Sequence, residues 1–319
     1  MNLTLSVRQS LLALAAVLFP SFVHAENVAI YQPFDGTTAT PLEVFRECRN
    51  CPEMVVLPTG DFIFGAPLEE SAYVYSLWNK PAPGEPVGLA HEGPEHRVTI
   101  DIPIAIGLNE VTRGEWMACV TDGGCSHTPD PSILTMTGNI YASDPRHPVI
   151  DVSYLDMLEY VAWLNHKTGT DAYRLPTEVE WEYAARAGTQ TRFAQGEQLS
   201  PDQFNIGVFE RQGDRSVAAP TNRSMPVIVD ELDATNPWGL RHIAGNVIEQ
   251  TMSCWTELHL GLATSSAYLA YTQDLQNCRR VVKGGSFGSS AEYARPANRG
   301  IAREESRSRT SGFRILREI

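Results

Sequence analysis

Residues 283–295, KGGSFGSSAEYAR, concentrate groups able to move protons and hold charge: Ser286, Ser289, Ser290, Glu292, Tyr293 and Arg295, with Arg299 shortly after. A carboxyl and a phenol can transfer protons when both are buried beside a substrate. Guanidinium groups can hold a carboxylate or sulfonate through paired N–H donors. Glu292 and Tyr293 are therefore the candidate acid–base groups, and Ser286, Ser289, Ser290, Arg295 and Arg299 the candidate substrate contacts. A second reading makes Arg295, Arg299 and Arg314 structural, pinning a loop-rich region through hydrogen bonds to carbonyls. The segment contains neither cysteine nor histidine, so it lacks a good nucleophile and a soft metal ligand.

Sulfur and imidazole lie elsewhere. The six cysteines fall into three local brackets by spacing, Cys48 with Cys51, Cys119 with Cys125, and Cys254 with Cys278. An even number in an oxidising compartment is expected to pair. A metal site on Cys48 and Cys51 would need a second ligand pair, and no second CxxC is present. His91, His96, His147 and His242 are scattered, and each reads as a surface or hydrogen-bonded structural side chain.

The elements that must position these groups are sparse. MVVLPTGDFIFG, residues 54–65, reads as two short strands around a Pro-Thr-Gly-Asp turn, and residues 76–96 as a long surface loop rich in proline and glycine. Three helix starts share one grammar, a capping hydroxyl with an acid three residues later: Thr112 with Glu115, Ser153 with Asp156, and Thr177 with Glu180. In the second helix Leu155, Leu158, Ala162 and Trp163 fall near one face and Gly169 stops it; Gly188 stops the third. After Gly188 the helical period disappears, and such a loop-rich domain needs disulfides or ions to fix it.

Residues 1–25 carry a positive start, a short apolar run and small residues at Val23-His24-Ala25, the pattern of a secretory signal. The run is well short of the ~20 residues a spanning helix needs. The expected organisation is a signal at 1–25, an N-terminal arm at 26–50 and one domain at 51–319, secreted or periplasmic, with no membrane span after cleavage. A formal charge of −13 argues against a nucleic-acid partner.

Taken in order, MVVLPTGDFIFG, YRLPTEVEWEYAARAG, NPWGLRHIAGNVIEQ, RRVVKGGSF and SGFRILRE resemble the formylglycine-generating enzyme family, also called the sulfatase-modifying factor domain. The resemblance implies a loop-rich α+β fold of the C-type-lectin-like formylglycine-generating-enzyme kind, with little regular secondary structure and bound calcium. HIAGNVIE resembles the family's calcium loop, which implies Glu249 as a ligand with Ala244, Gly245 and Val247 along the loop. Asn205, Ile206 and Asp214 resemble a second calcium site. A competing reading pairs Glu249 with an arginine. Ile248 and Gln250 stand where the family commonly has aromatics, which is expected to loosen packing or reshape the nearby pocket.

In the copper-dependent oxidases of the family two cysteines follow the Gly-Gly-Ser-aromatic block; here those positions hold Ser289 and Ala294. Neither replaces a thiolate, so no copper is expected. Three functional readings stay open: a non-catalytic module binding a peptide, protein or glycan; a periplasmic maturation factor of the kind that oxidises a siderophore precursor during pyoverdine maturation; and an oxidase with an unrecognised metal site.

Overall fold

The structure is a computed structural model that describes residues 34, 36–70, 90–198, 200, 202–212, 215–218, 223–273, 275 and 277–319. The signal reading at 1–25 and Asp214 lie outside these residues.

Among the described residues four helices are of nine residues or more: α1 (Arg113–Thr121), α2 (Tyr154–Thr168), α3 (Glu178–Arg186) and α4 (Ser265–Gln273). The first three begin as their sequences dictate. Thr112, Ser153 and Thr177 each accept from the amide three residues on, while Glu115, Asp156 and Glu180 reach back to the cap amide. Gly169 ends α2 in the left-handed conformation. At the end of α3 Ala187 (φ 47°) and the expected Gly188 (φ 80°) both take that conformation. α4 was not anticipated.

The buried face of α2 also differs from expectation. Met157, Tyr160, Trp163 and Leu164 point inward, whereas Leu155 and Leu158 are 45% and 42% exposed. The reason is aromatic: Tyr160 packs between Trp116 of α1 and Phe313, with ring centroids 5.8 and 5.6 Å away. Large rings there turn the helix so that both leucines line a surface hollow with Met252 and Leu275.

An antiparallel five-stranded sheet runs, in spatial order, Val44–Phe45, Met54–Val56, Ile104–Gly107, Leu316–Glu318 and Tyr173–Arg174. The stretch read as an N-terminal arm thus supplies its edge strand, and Glu47 accepts hydrogen bonds from Tyr173 and Arg317. A four-stranded sheet runs Gly300–Arg303, Arg279–Lys283, Ile248–Cys254 and Ser311–Gly312, the last parallel to its neighbour. The two strands of residues 54–65 do not pair with each other; Gly60–Phe64 pairs with His96–Ile100. Three further residues of the expected surface loop, Ala90–Glu92, form a short 3-10 turn, and Glu92 is fully buried.

Among the described residues two large apolar clusters form the core, with a small third one of Val227, Leu232 and Ala234. One gathers Phe62, Phe64, Val98, Trp181, Phe204 and Ala294; the other gathers Met54, Trp116, Met157, Tyr160, Phe313 and Ile315. Three disulfides join the pairs that the spacing indicated: Cys48–Cys51, Cys119–Cys125 and Cys254–Cys278. No helix among the described residues is long and apolar enough to cross a membrane.

Candidate functional site

Arg279–Lys283 delivers the chain into a turn at Gly284 and Gly285, both left-handed at φ 86° and 67°. A side chain at Gly285 would sit 3.0 Å from the Tyr293 carbonyl carbon. The double glycine therefore lets the strand end fold tightly under the 3-10 turn Ala291–Ala294. Lys283, fully buried, points back to Glu182 at 3.1 Å, and Glu182 also accepts from Arg186 and the Gly65 amide. Burial raises the Glu182 carboxyl, but Lys283 and Arg186 prevail and hold it below the usual range.

The serines satisfy one another. The Ser286 amide donates to Ser289 Oγ at 3.0 Å, the two hydroxyls meet at 3.1 Å, and the Gly288 amide donates to Ser286 Oγ at 3.2 Å. Ser290 precedes the 3-10 turn and its side chain makes no cap bond there. Ala294 is 1% exposed inside the first core cluster.

Glu292 and Tyr293 diverge. Consecutive residues on a 3-10 turn point about 120° apart, so Glu292 is 6% exposed while Tyr293 is 41% exposed. Among the described residues, Glu292 Oε1 is buried without a hydrogen-bond partner.

Both candidate arginines are held by internal acids. Arg295 bonds Glu70 and Glu92 at 2.6 Å each and donates Nε to the Glu292 carbonyl at 3.1 Å. Arg299 forks onto Glu178 at 2.6 and 3.0 Å, reaches the carbonyls of His91 and Thr256, and stacks over Trp255. All three nitrogens of each guanidinium are hydrogen-bonded. Beside this cluster a cavity of about 490 Å³ is walled by Glu70, Glu95, His96 and Arg186. His96 Nε2 meets the Tyr268 hydroxyl at 2.8 Å, and burial raises the Glu95 carboxyl.

The structure brings the two calcium-like segments together. The Asn246 amide donates to the Asn205 carbonyl at 2.8 Å, and Asn205 Nδ2 donates to Asn246 Oδ1 at 3.0 Å. Gly245 is required at this contact, since a Cβ there would lie 2.7 Å from the Asn205 carbonyl oxygen. The serine turn locks onto the same place through Gly207 N to Ser289 O, 2.9 Å, and Phe287 N to Asn246 O, 2.9 Å.

Their donor sets differ. The Glu249 carboxylate accepts from Arg314 Nε and Nη2 at 2.7 and 2.6 Å and from Trp181 Nε1 at 2.6 Å, so its charge already faces a cation. Among the described residues no donor meets the buried Asn205 Oδ1, an oxygen of the kind a hard cation takes up, and buried Ile206 adjoins it. Ala244 and Val247 are buried in the same loop. Gln250 is 1% exposed, and among the described residues its amide oxygen also has no partner.

Of the histidines, His147 Nδ1 accepts from the Asp144 amide at 2.8 Å, and the His91 ring lies 5.2 Å from the Trp255 ring. His242 departs from expectation: it is 1% exposed and neither ring nitrogen has a partner among the described residues. Burial, then Arg314 and Arg241, push it down to about 3.

Sequence reasoning missed the acids that hold this region, Glu70, Glu92, Glu178 and Glu182. Glutamates on a short helix or in a loop ordinarily face water. The available signal was the number of arginines and lysines in 279–317 of a chain with acidic excess.

A loop-rich α+β frame, two interlocked calcium-like loops and a double-glycine turn define a C-type-lectin-like module of the formylglycine-generating-enzyme kind. The chain belongs to the sulfatase-modifying factor enzyme 1-like domain family, which it matches over residues 40–319. The formylglycine-generating enzyme of Thermomonospora curvata is 31% identical over 190 residues, 56% of this chain and 57% of that one. The hercynine oxygenase of Mycolicibacterium thermoresistibile is 26% identical over 272 residues, 74% of this chain and 55% of that one. The chain thus spans somewhat more than half the length of these relatives. The solved structure of PvdO from Pseudomonas aeruginosa superposes with a TM-score of 0.67 at 29% identity, covering 88% of this chain and 100% of that chain.

Proposed function

We propose that this chain is an exported, non-catalytic module that binds a peptide or protein segment. The observation that carries the reading is the internal satisfaction of the groups best placed for chemistry. Ser286 and Ser289 bond each other, Arg295 and Arg299 are saturated by Glu70, Glu92 and Glu178, and Ala294 is packed in the core. A ligand would meet the acidic cavity at Glu70 and Glu95, with His96 on its wall. The signal-like start and the three disulfides support export to an oxidising compartment. Calcium is assigned to the Asn205 loop on the strength of its unpartnered oxygen.

The test is capture of peptides from cell-envelope extract on the purified chain, with the mass of each captured species measured before and after incubation. Unchanged masses, with capture weakened by Glu95→Gln, are expected. A mass change matching oxidation would overturn the reading.

A second reading, a maturation factor that modifies a peptide, rests on Glu292. A buried carboxyl oxygen without a partner costs about 1–3 kcal/mol, a penalty that proton transfer to a ligand would explain. The similarity to relatives named as a formylglycine-generating enzyme and a hercynine oxygenase favours it too. On this reading Glu292→Gln abolishes turnover in a folded protein; unchanged turnover removes the assignment.

A further inference from the structure

A separate cavity of about 510 Å³ opens between the Cys48–Cys51 turn, the start of α1 and the Arg146–Asp230 contact. None of its walls belongs to the cluster described above. Its lining brings four arginines, Arg46, Arg49, Arg146 and Arg241, against four acids, Glu53, Glu110, Glu115 and Asp230.

The formal balance is zero, but the partnering is not. Glu53 pairs with Arg46 at 3.2 Å. Glu115 accepts from the Thr112 amide and hydroxyl at 2.8 and 2.9 Å, as its capping role requires. Glu110 accepts from Asn246 Nδ2 and the Val247 amide at 2.8 and 3.2 Å. Arg146 is shared between Asp230 at 3.4 Å and Asp144 at 3.5 Å, long contacts between exposed side chains that are readily exchanged for better ones. Burial pushes the carboxyls of Glu110 and Glu115 up.

Arg49 and Arg241 are left over. Among the described residues, neither guanidinium has a hydrogen-bond acceptor or a carboxylate partner. Arg49 stands between Cys48 and Cys51, whose disulfide and Cys51 N to Cys48 O hydrogen bond of 3.1 Å fix the turn that carries it. Arg241 is set by its own backbone, donating N–H to Leu108 O at 2.9 Å and accepting from Arg314. Two uncompensated forks held on anchored backbone at one cavity are the arrangement that recognises an oxygen anion.

We propose that this cavity is an oxyanion site, taking a carboxylate, phosphate or sulfate group of a ligand or partner between Arg49 and Arg241, with Arg146 free to leave Asp230 and join them. It is independent of the peptide-binding reading, because it shares no residue with the cavity at Glu70 and Glu95. The long-range field of a chain with net charge −13 repels anions, so recognition depends on these local donors.

The experiment is isothermal titration of the full chain with inorganic phosphate, sulfate and succinate at matched ionic strength, with chloride as reference. Saturable binding of at least one is expected. Phosphate or sulfate ahead of succinate marks a phosphoryl or sulfuryl ligand, and the reverse marks a carboxylate. Arg49→Gln and Arg241→Gln are each expected to weaken binding about 10-fold or more, as loss of one charge-assisted fork requires. Arg97→Gln, on the remote exposed pair with Asp61, should leave it unchanged. Arg49 is exposed, so its variant folds even where Arg241→Gln does not. No binding above chloride, or binding indifferent to Arg49→Gln, overturns the proposal.

Discussion

Arg314 grips Glu249 across 65 positions of sequence, Nε to Oε2 at 2.7 Å and Nη2 to Oε1 at 2.6 Å, with both side chains essentially sealed from water. The parallel contact of Ser311–Gly312 with Ile248–Glu249 brings the two into register. Trp181 of α3 donates to the same carboxylate, so one acid ties the C-terminal strand, the loop and a helix together.

Removing one partner strands the other. Arg314→Met is expected to cost about 3–5 kcal/mol in urea unfolding, because the Glu249 charge stays buried and uncompensated. Adding Glu249→Leu should recover a substantial part of that loss. Simply additive losses would contradict the pairing.

Two buried histidines work against the fold in acid, opposed by Glu95, Glu110 and Glu115, whose carboxyls burial raises. His242 and His259 are both pushed down to about 3, chiefly by burial, from an ordinary value near 6.5. In the unfolded chain they take up protons below about 6.5, whereas the folded chain keeps them neutral down to about 3. The histidines' contribution is therefore full above that window and is lost as pH drops into it, by up to ~1.4 kcal/mol per unit per histidine. In urea midpoints from pH 7.5 to 5, His242→Phe should gain on the wild type as pH falls. A difference between the two proteins that is independent of pH would refute this.

Glu292 makes the opposite prediction about stability. Its Oε1 is buried with no partner among the described residues, a cost with no structural return, so Glu292→Met should leave the urea midpoint unchanged or raise it by the equivalent of ~1 kcal/mol. A loss above ~2 kcal/mol would show that the carboxyl has a structural partner after all.

For calcium, the expected outcome is a rise in melting temperature on adding the ion to chelator-treated protein. Asn205→Ala should abolish the calcium-dependent part of the rise, whatever it does to the baseline through the lost bonds to Met225 and Asn246. A full calcium response in that variant removes the assignment to this loop.

Local chemistry was legible where it depends on neighbours in sequence. The capping boxes at Thr112, Ser153 and Thr177 and the three short-range disulfides are fixed by spacings of a few to two dozen residues. The order of the blocks carried the family. What escaped depended on distant partners. The face of α2 was set by Trp116 and Phe313, which no period within α2 records. Arg295 and Arg299, seen beside serines and an acid, invited a ligand, but Glu92 and Glu178 had already been brought to them from 203 and 121 residues away. The competing reading of Glu249, as an arginine's partner, is the arrangement the fold displays.

α3 has no outward face: all nine residues from Glu178 to Arg186 are buried. Its three glutamates each meet a cation, Glu178 with Arg299, Glu180 with Arg174, and Glu182 with Lys283 and Arg186. A helix so enclosed has no surface along which to fray or peel away. Its amide protons should be among the slowest in the chain to exchange with deuterium, released only when the domain as a whole comes apart. The element whose sequence looks most suited to water would then report the global unfolding free energy.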